Sequence, residues 1–129
     1  MSDERGQAVL AVVLALGTAA TAVVGLRAAQ ERIVVAARAQ RAGEAAVEAA
    51  AQSVADVYAT RPSAAKELVL DSRVLETARL AAEELAQANG GHGVDRVQLS
   101  CAGDRIEARL VLSGYSHHAG FRAPECSPP

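Results

Sequence analysis

The sequence predicts an α+β chain: a long N-terminal membrane helix continues into a soluble helix, and a second helix and a C-terminal β-hairpin packed on the helices follow. Three observations support this prediction. No charged residue occurs between Gly6 and Leu26. Good helix formers then dominate as far as Tyr58, and a second stretch repeats apolar residues at helical spacing. Between Val97 and Leu112 apolar residues recur at every second position, as in strands.

The composition argues against an enzyme and against a nucleic-acid-binding protein. The 129-residue chain has a net charge of -2, one Phe and no Trp. It therefore has no excess of positive charge that would attract nucleic acid, and it has few large side chains with which to build a compact enzyme core. It also has no glycine-rich phosphate loop and no nucleophile–base spacing. We expect no catalytic residue, no cofactor, no nucleic acid and no small-molecule substrate.

Residues 6–26 are predicted to span a membrane. A helix of this length measures about 30 Å, the thickness of the hydrocarbon core of a bilayer, so membrane lipid is an expected partner. The triplet Ala20-Thr21-Ala22 is compatible with signal-peptide cleavage, but the apolar run continues past it, and the N-terminus holds one Arg against two acids. We interpret the segment as an uncleaved anchor.

One face of this segment carries small residues. Gly17, Thr21 and Gly25 are spaced four apart and therefore lie on the same side of a helix. Small residues at this spacing let helix backbones approach closely in lipid. We interpret these residues as a helix-packing face.

The helix is predicted to continue into water from Arg27 to about Tyr58, because this stretch has no Pro and a single Gly. An apolar stripe recurs within it at three- and four-residue steps: Val47, Ala51, Val54 and Tyr58. Such a stripe packs either on the rest of the module or on a helix of another subunit. The sequence leaves both arrangements open.

A proline-containing break over residues 60–63 ends this helix. After a short helix or turn, Asp71 or Ser72 caps a second helix, which runs to about Ala88 and stops at Asn89-Gly90-Gly91. Its predicted buried face comprises Val74, Leu75, Ala78, Ala81, Ala82, Leu85 and Ala88.

A β-hairpin is predicted next. Two alternating runs flank the turn Ala102-Gly103-Asp104: Val97, Leu99 and Cys101 before it, and Ile106, Ala108, Leu110 and Leu112 after it. An isolated hairpin is marginally stable, so we expect its apolar face to lie on the helices. Residues 113–129 are rich in Gly and Pro and are predicted to form an irregular, flexible tail.

The adjacent pair His117 and His118 is a candidate for metal binding by residue type alone. Such a site needs three or four ligands that converge on one point, whereas neighbours in an extended tail point apart. We therefore expect no metal and interpret both residues as exposed loop histidines.

Cys101 and Cys126 form no CxxC motif. A disulfide between them would close a loop of 25 residues, which stabilises by roughly 3 kcal/mol in the loop-entropy model. We favour this disulfide, provided that the module lies outside the cytoplasm; the alternative is two free thiols.

The charges and the cysteines disagree about orientation. Arg5 precedes the membrane segment, whereas Arg27, Arg32, Arg38 and Arg41 follow it. Basic residues near a membrane segment favour the cytoplasmic side, so the count places the C-terminal part inside. A disulfide favours the opposite side.

The N-terminus, Arg5-Gly6-Gln7-Ala8-Val9, resembles that of the TadE/TadG-like proteins of tight-adherence (Flp-type) pilus assembly. The Ala-rich stretch of residues 38–46 is similar to that family too. Ala88-Asn89-Gly90-Gly91 and residues 99–104 look like the short actinobacterial TadE-like group.

The resemblance implies a minor pilin or pseudopilin that contacts other pilus or secretion subunits through its N-terminal helix. Residues 1–5 would be a cytoplasmic stub, and residues 27–112 a small extracytoplasmic module on a single-pass anchor. A prepilin peptidase would cut between Gly6 and Gln7. Processed pilins carry Glu five residues after the cut, where this chain has Ala11, as in TadG-like members that stay unprocessed. The alternative function is a secreted or membrane-tethered binding module unrelated to pili.

Overall fold

The computed structural model describes the backbone of residues 2–127 and the side chains of residues 6–127. Helix α1 spans Ser2–Thr60, α2 spans Ala65–Leu68 and α3 spans Ser72–Ala88. Strand β1 covers Val94–Ala102, β2 covers Arg105–Leu112 and β3 covers Tyr115–Arg122. Two 3₁₀ turns lie at Pro62–Ala64 and Pro124–Cys126. The predicted α+β class is confirmed.

By its internal contacts the chain divides into two units, Met1–Ala36 and Ala37–Pro129. The first unit contains the predicted membrane segment, residues 6–26. The second contains the sheet, α2 and α3, and it includes residues 113–127, which were predicted as a tail.

The three strands form one antiparallel sheet in the order β1-β2-β3. The predicted hairpin is β1 with β2, joined through Gly103 and Asp104. The irregular tail was a wrong prediction, because β3 pairs with β2 along its whole length, from Leu112 opposite Tyr115 to Arg105 opposite Arg122.

A tight turn returns the chain into β3. Ser113 and Gly114 have φ angles of 52° and 81°, and two such residues in succession are characteristic of the type I′ hairpin turn. Gly114 adopts this conformation without a steric penalty. The turn sets the register in which His117, Ala119 and Phe121 face the same side of the sheet as Leu110, Ala108 and Ile106.

The hydrophobic core lies between the helices and one face of the sheet. The alternating residues of β2 (Ile106, Ala108, Leu110 and Leu112) are all buried, as predicted. On α1, Val47, Ala51 and Val54 are buried and Tyr58 is half-buried, in the same cluster. The stripe on α1 therefore packs on the rest of its own module, which was one of the two arrangements that the sequence left open.

Much of the helical contribution to this core comes from alanine. Ala42, Ala46 and Ala50 on α1 and Ala78, Ala82 and Ala86 on α3 are each 0 or 1% exposed; we call these six residues the alanine seam. On α3 the fully buried residues recur every fourth position from Val74. Leu85 and Ala88, which were predicted to face the core, are exposed, because this buried stripe is narrower than the pattern suggested.

The ends of α3 are capped as the sequence predicts. The Asp71 carboxylate accepts a hydrogen bond from the backbone N–H of Arg73 at 2.8 Å, so Asp71 is the N-cap. At the other end the N–H groups of Gly90 and Gly91 donate to the carbonyls of Gln87 and Ala86. This pair of bonds is the Schellman motif, and it directs the chain from α3 into β1.

Candidate functional site

The apolar surface of α1 is the most unusual feature of the described chain. The large apolar side chains between Val9 and Val35 are 48–68% exposed. Soluble proteins rarely expose a contiguous apolar surface of this extent. Among the described residues, α1 is the one helix long and apolar enough to cross a membrane, although a signal sequence near the N-terminus meets the same criterion.

Two hydroxyl groups within the apolar run are satisfied by the helix itself. Thr18 donates to the carbonyl of Ala15 at 2.9 Å. Thr21 donates to the carbonyls of Thr18 at 2.9 Å and Gly17 at 3.1 Å. An unpaired hydroxyl costs free energy in hydrocarbon, so these internal bonds make both threonines compatible with a lipid environment.

The predicted cleavage site and the small-residue face both lie on the exposed surface of α1. Gly6 and Gln7 lie inside α1 and are exposed. Gly17, Thr21 and Gly25 are also exposed, and a Cβ added at Gly17 or at Gly25 would meet no atom within 4 Å. The small-residue face is therefore open to a partner helix, and both the cleavage site and the packing role stay predictions.

A disulfide joins Cys101 of β1 to Cys126 in the last 3₁₀ turn, with the two Cα atoms 5.3 Å apart. After β3 the chain crosses the end of the sheet, and this brings Cys126 next to Cys101. On the way the N–H of Ala123 donates to the carbonyl of Asp104 at 2.7 Å. Ala123 and Cys126 are both buried. The disulfide thus fixes the C-terminal segment over the end of the core.

The histidine pair divides between the two faces of β3. His118 is exposed, but His117 is buried, with 5% of its surface exposed. The interpretation of His117 as an exposed loop residue was therefore wrong, since the strand alternates its side chains between core and solvent. The imidazole packs against Gly43 of α1, where an added Cβ would overlap the ring. Its Nε2 atom is buried without a hydrogen-bond partner in the described structure.

A cluster that the sequence did not indicate ties α1 to the C-terminal segment. The rings of Tyr58 and Phe121 are tilted, with centroids 5.4 Å apart, and the Tyr58 hydroxyl donates a hydrogen bond to the Glu125 carboxylate. This bond lowers the pKa of Glu125 and raises the pKa of Tyr58, because it favours the ionised carboxylate and the neutral phenol.

The described residues offer no group of three or more His, Cys, Asp or Glu side chains that could hold a metal ion. Within residues 6–127, the exposed apolar stretch of α1 is the candidate functional surface. Scans of protein-family models and searches of curated proteins and solved structures found no match to this chain.

Proposed function

We propose that this chain is a non-enzymatic, single-pass membrane protein whose anchor helix carries a small α+β module in an assembly resembling the tight-adherence pilus. The observation that carries the proposal is the exposed apolar surface of α1. Burial of apolar surface is worth about 25 cal/mol per Å², so a chain that left these side chains in water would forgo a large stabilisation that lipid provides.

Two features of the apolar run support a spanning helix over a soluble one. Residues 6–26 contain no charged side chain, so no face is suited to water. The hydroxyls of Thr18 and Thr21 are bonded within the helix, so insertion leaves neither of them unpaired.

The disulfide supports an extracytoplasmic position for the module in the cell membrane. Disulfides persist in oxidising compartments and are rare in the cytosol. The four arginines after the anchor favour the opposite orientation. We weight the disulfide more heavily, because Cys126 is buried in the core and the charge rule is a bias rather than a requirement.

The role in a pilus or secretion assembly rests on the resemblance of residues 5–9 and on the open small-residue face. Backbones pack closely in lipid where glycines face one another, and Gly17 and Gly25 have free space around them. Ala11 supplies no carboxylate for a neighbour's amino terminus, so we propose contact between helices rather than a charge pair.

The mature N-terminus tests this proposal. The protein is purified from membranes washed with alkaline carbonate, and its intact mass is measured. A chain that stays in the membrane and begins at Met1 supports an unprocessed anchor, and one that begins at Gln7 supports pilin-type processing. A soluble chain that begins at Val23 contradicts the anchor and favours a secreted binding module.

Topology is tested by labelling a new thiol in intact cells. Ser63 is exposed in the module, so Ser63→Cys should react with a membrane-impermeant maleimide. Ser2→Cys is the control for a chain that begins at Met1, and it should react only after lysis. The reverse pattern would place the module in the cytoplasm.

A further inference from the structure

A short stretch of α1 directly after the predicted membrane segment combines basic and apolar side chains on an exposed surface. We call residues 27–35 the juxtamembrane segment. Its Arg27, Glu31 and Arg32 are exposed, and so are its large apolar residues Ile33, Val34 and Val35. Long basic side chains that directly follow a membrane-spanning segment can reach the lipid headgroups.

The length of the helix places the start of this segment at headgroup level. The hydrocarbon core is about 30 Å thick and the bilayer about 40–45 Å with both headgroup layers, so each headgroup layer is roughly 5–8 Å deep. The hydrocarbon core accounts for residues 6–26. Arg27 and Arg32 then lie roughly 2 Å and 9 Å beyond Leu26 along the axis, within reach of lipid phosphates for an arginine side chain that extends along the helix.

We propose that Arg27 and Arg32 bind the phosphate groups of anionic phospholipids. The inference rests on the proposed function as a membrane anchor. The guanidinium group matches phosphate with paired N–H donors. The two arginines lie on different sides of the helix, so they contact different lipids in the surrounding shell.

Anionic lipid is favoured over neutral lipid because the segment carries a net positive charge. Two arginines outweigh Glu31, and the negative surface potential of anionic lipid attracts each basic residue that lies within a Debye length. The arginines thus contact lipid on whichever side of the membrane the module lies, which gives them a role independent of orientation.

The test measures which lipids surround the full-length protein. The chain is reconstituted in vesicles of phosphatidylcholine and phosphatidylglycerol, and the immobilised fraction of each spin-labelled lipid is recorded by electron paramagnetic resonance. We expect labelled phosphatidylglycerol to associate about threefold more strongly than labelled phosphatidylcholine, with an advantage that shrinks as salt rises.

Paired variants separate a local contact from net charge. Arg27→Gln with Arg32→Gln should remove the preference for phosphatidylglycerol. The matched pair Arg61→Gln with Arg73→Gln changes the net charge equally at exposed positions of the module and should retain it. Equal loss in both pairs would overturn the inference.

The two proposals fail in different ways. An immobilised lipid fraction without headgroup preference in the wild-type protein refutes the phosphate contact and leaves the anchor intact. The absence of any immobilised fraction shows that the helix is outside the bilayer, and both proposals then fall.

Discussion

His117 of β3 packs its imidazole ring against Gly43 of α1, so the helix and the sheet meet at a residue that has no side chain. Both residues are buried. Directly opposite His117 in the sheet is Leu110, which is also buried. A polar ring is therefore enclosed by apolar groups, and the space that it occupies exists because position 43 is glycine.

Replacing Gly43 with Ala should destabilise the module. The new methyl group would overlap the His117 ring, and overpacking of a core costs about 1–3 kcal/mol. This cost opposes the gain of roughly 1 kcal/mol that Ala brings to a helix interior. We expect urea denaturation of the detergent-solubilised protein to show a lower free energy of unfolding.

Two comparisons test the cause of that loss. Gly25→Ala places the same methyl group on α1 where no atom lies within 4 Å, and it should not destabilise. In a His117→Ala background the ring is gone, so Gly43→Ala should become neutral or stabilising. If the penalty persisted there, the ring would not be its source.

Replacing His117 with Leu should raise the free energy of unfolding by about 1 kcal/mol. A buried polar atom without a partner costs about 1–3 kcal/mol, and Nε2 is such an atom in the described structure. Thermal denaturation measures the change. His118→Leu, on the exposed face, is the control and should lie within about 0.5 kcal/mol of wild type. A clear loss in His117→Leu would mean that the imidazole makes a bond that the apolar side chain cannot replace.

Removing the disulfide should weaken the module substantially. The bond between Cys101 and Cys126 closes a loop with a sequence separation of 25, and loop-closure entropy for this length is worth roughly 3 kcal/mol. We expect Cys101→Ala with Cys126→Ala to lower the free energy of unfolding by that amount. A reductant should lower the free energy of unfolding of the wild-type protein by the same amount, and it should leave that of the double variant unchanged. Equal stability of wild type with and without reductant would contradict this account.

The hydrogen bond from Tyr58 to Glu125 should make part of the stability depend on pH. The pKa of Glu125 is lowered in the folded state, so its contribution is present above the unfolded carboxyl pKa of about 4.3 and is lost as pH falls. The pKa of Tyr58 is raised, so its contribution is present below the unfolded phenol pKa of about 10 and is lost as pH rises.

Tyr58→Phe isolates this bond, because it keeps the ring beside Phe121 and removes the hydroxyl. We expect the difference in unfolding free energy between wild type and variant to be largest near neutral pH and to shrink toward both extremes. Tyr115→Phe, at an exposed position, is the control. A difference that did not change with pH would show that the hydroxyl acts without the carboxylate.

The parts of the fold with regular apolar spacing could be predicted from the sequence. The stripe from Val47 to Val54 and the alternation from Ile106 to Leu112 appear in the core as expected, because burial on one face imposes the period of the element. The cap at Asp71 follows from side-chain chemistry that acts over a few residues.

Strand β3 could not be recognised by apolar alternation, because His117 and Ala119 occupy positions where a strand normally carries larger apolar residues. The remaining signal was Ser113-Gly114, a pair compatible with a two-residue hairpin turn between Leu112 and Tyr115. The contacts of His117 with Gly43 and of Tyr58 with Glu125 join residues far apart in the chain. No local pattern encodes such pairings, so they become visible only in the folded structure.

The alanine seam determines which mutations the module can tolerate. Its six side chains end at Cβ, so each is already the smallest that keeps a methyl group in the core, and little remains there to remove. A larger residue at Ala46 or Ala82 must push apart closely packed elements, which a dense interior resists. Random mutagenesis of these positions should therefore return mostly Gly, Ser and Ala among the folded variants. At the fully buried positions Leu68, Ile106 and Leu110 the folded variants should instead keep large apolar side chains, because truncation there leaves a cavity that the surrounding residues do not fill.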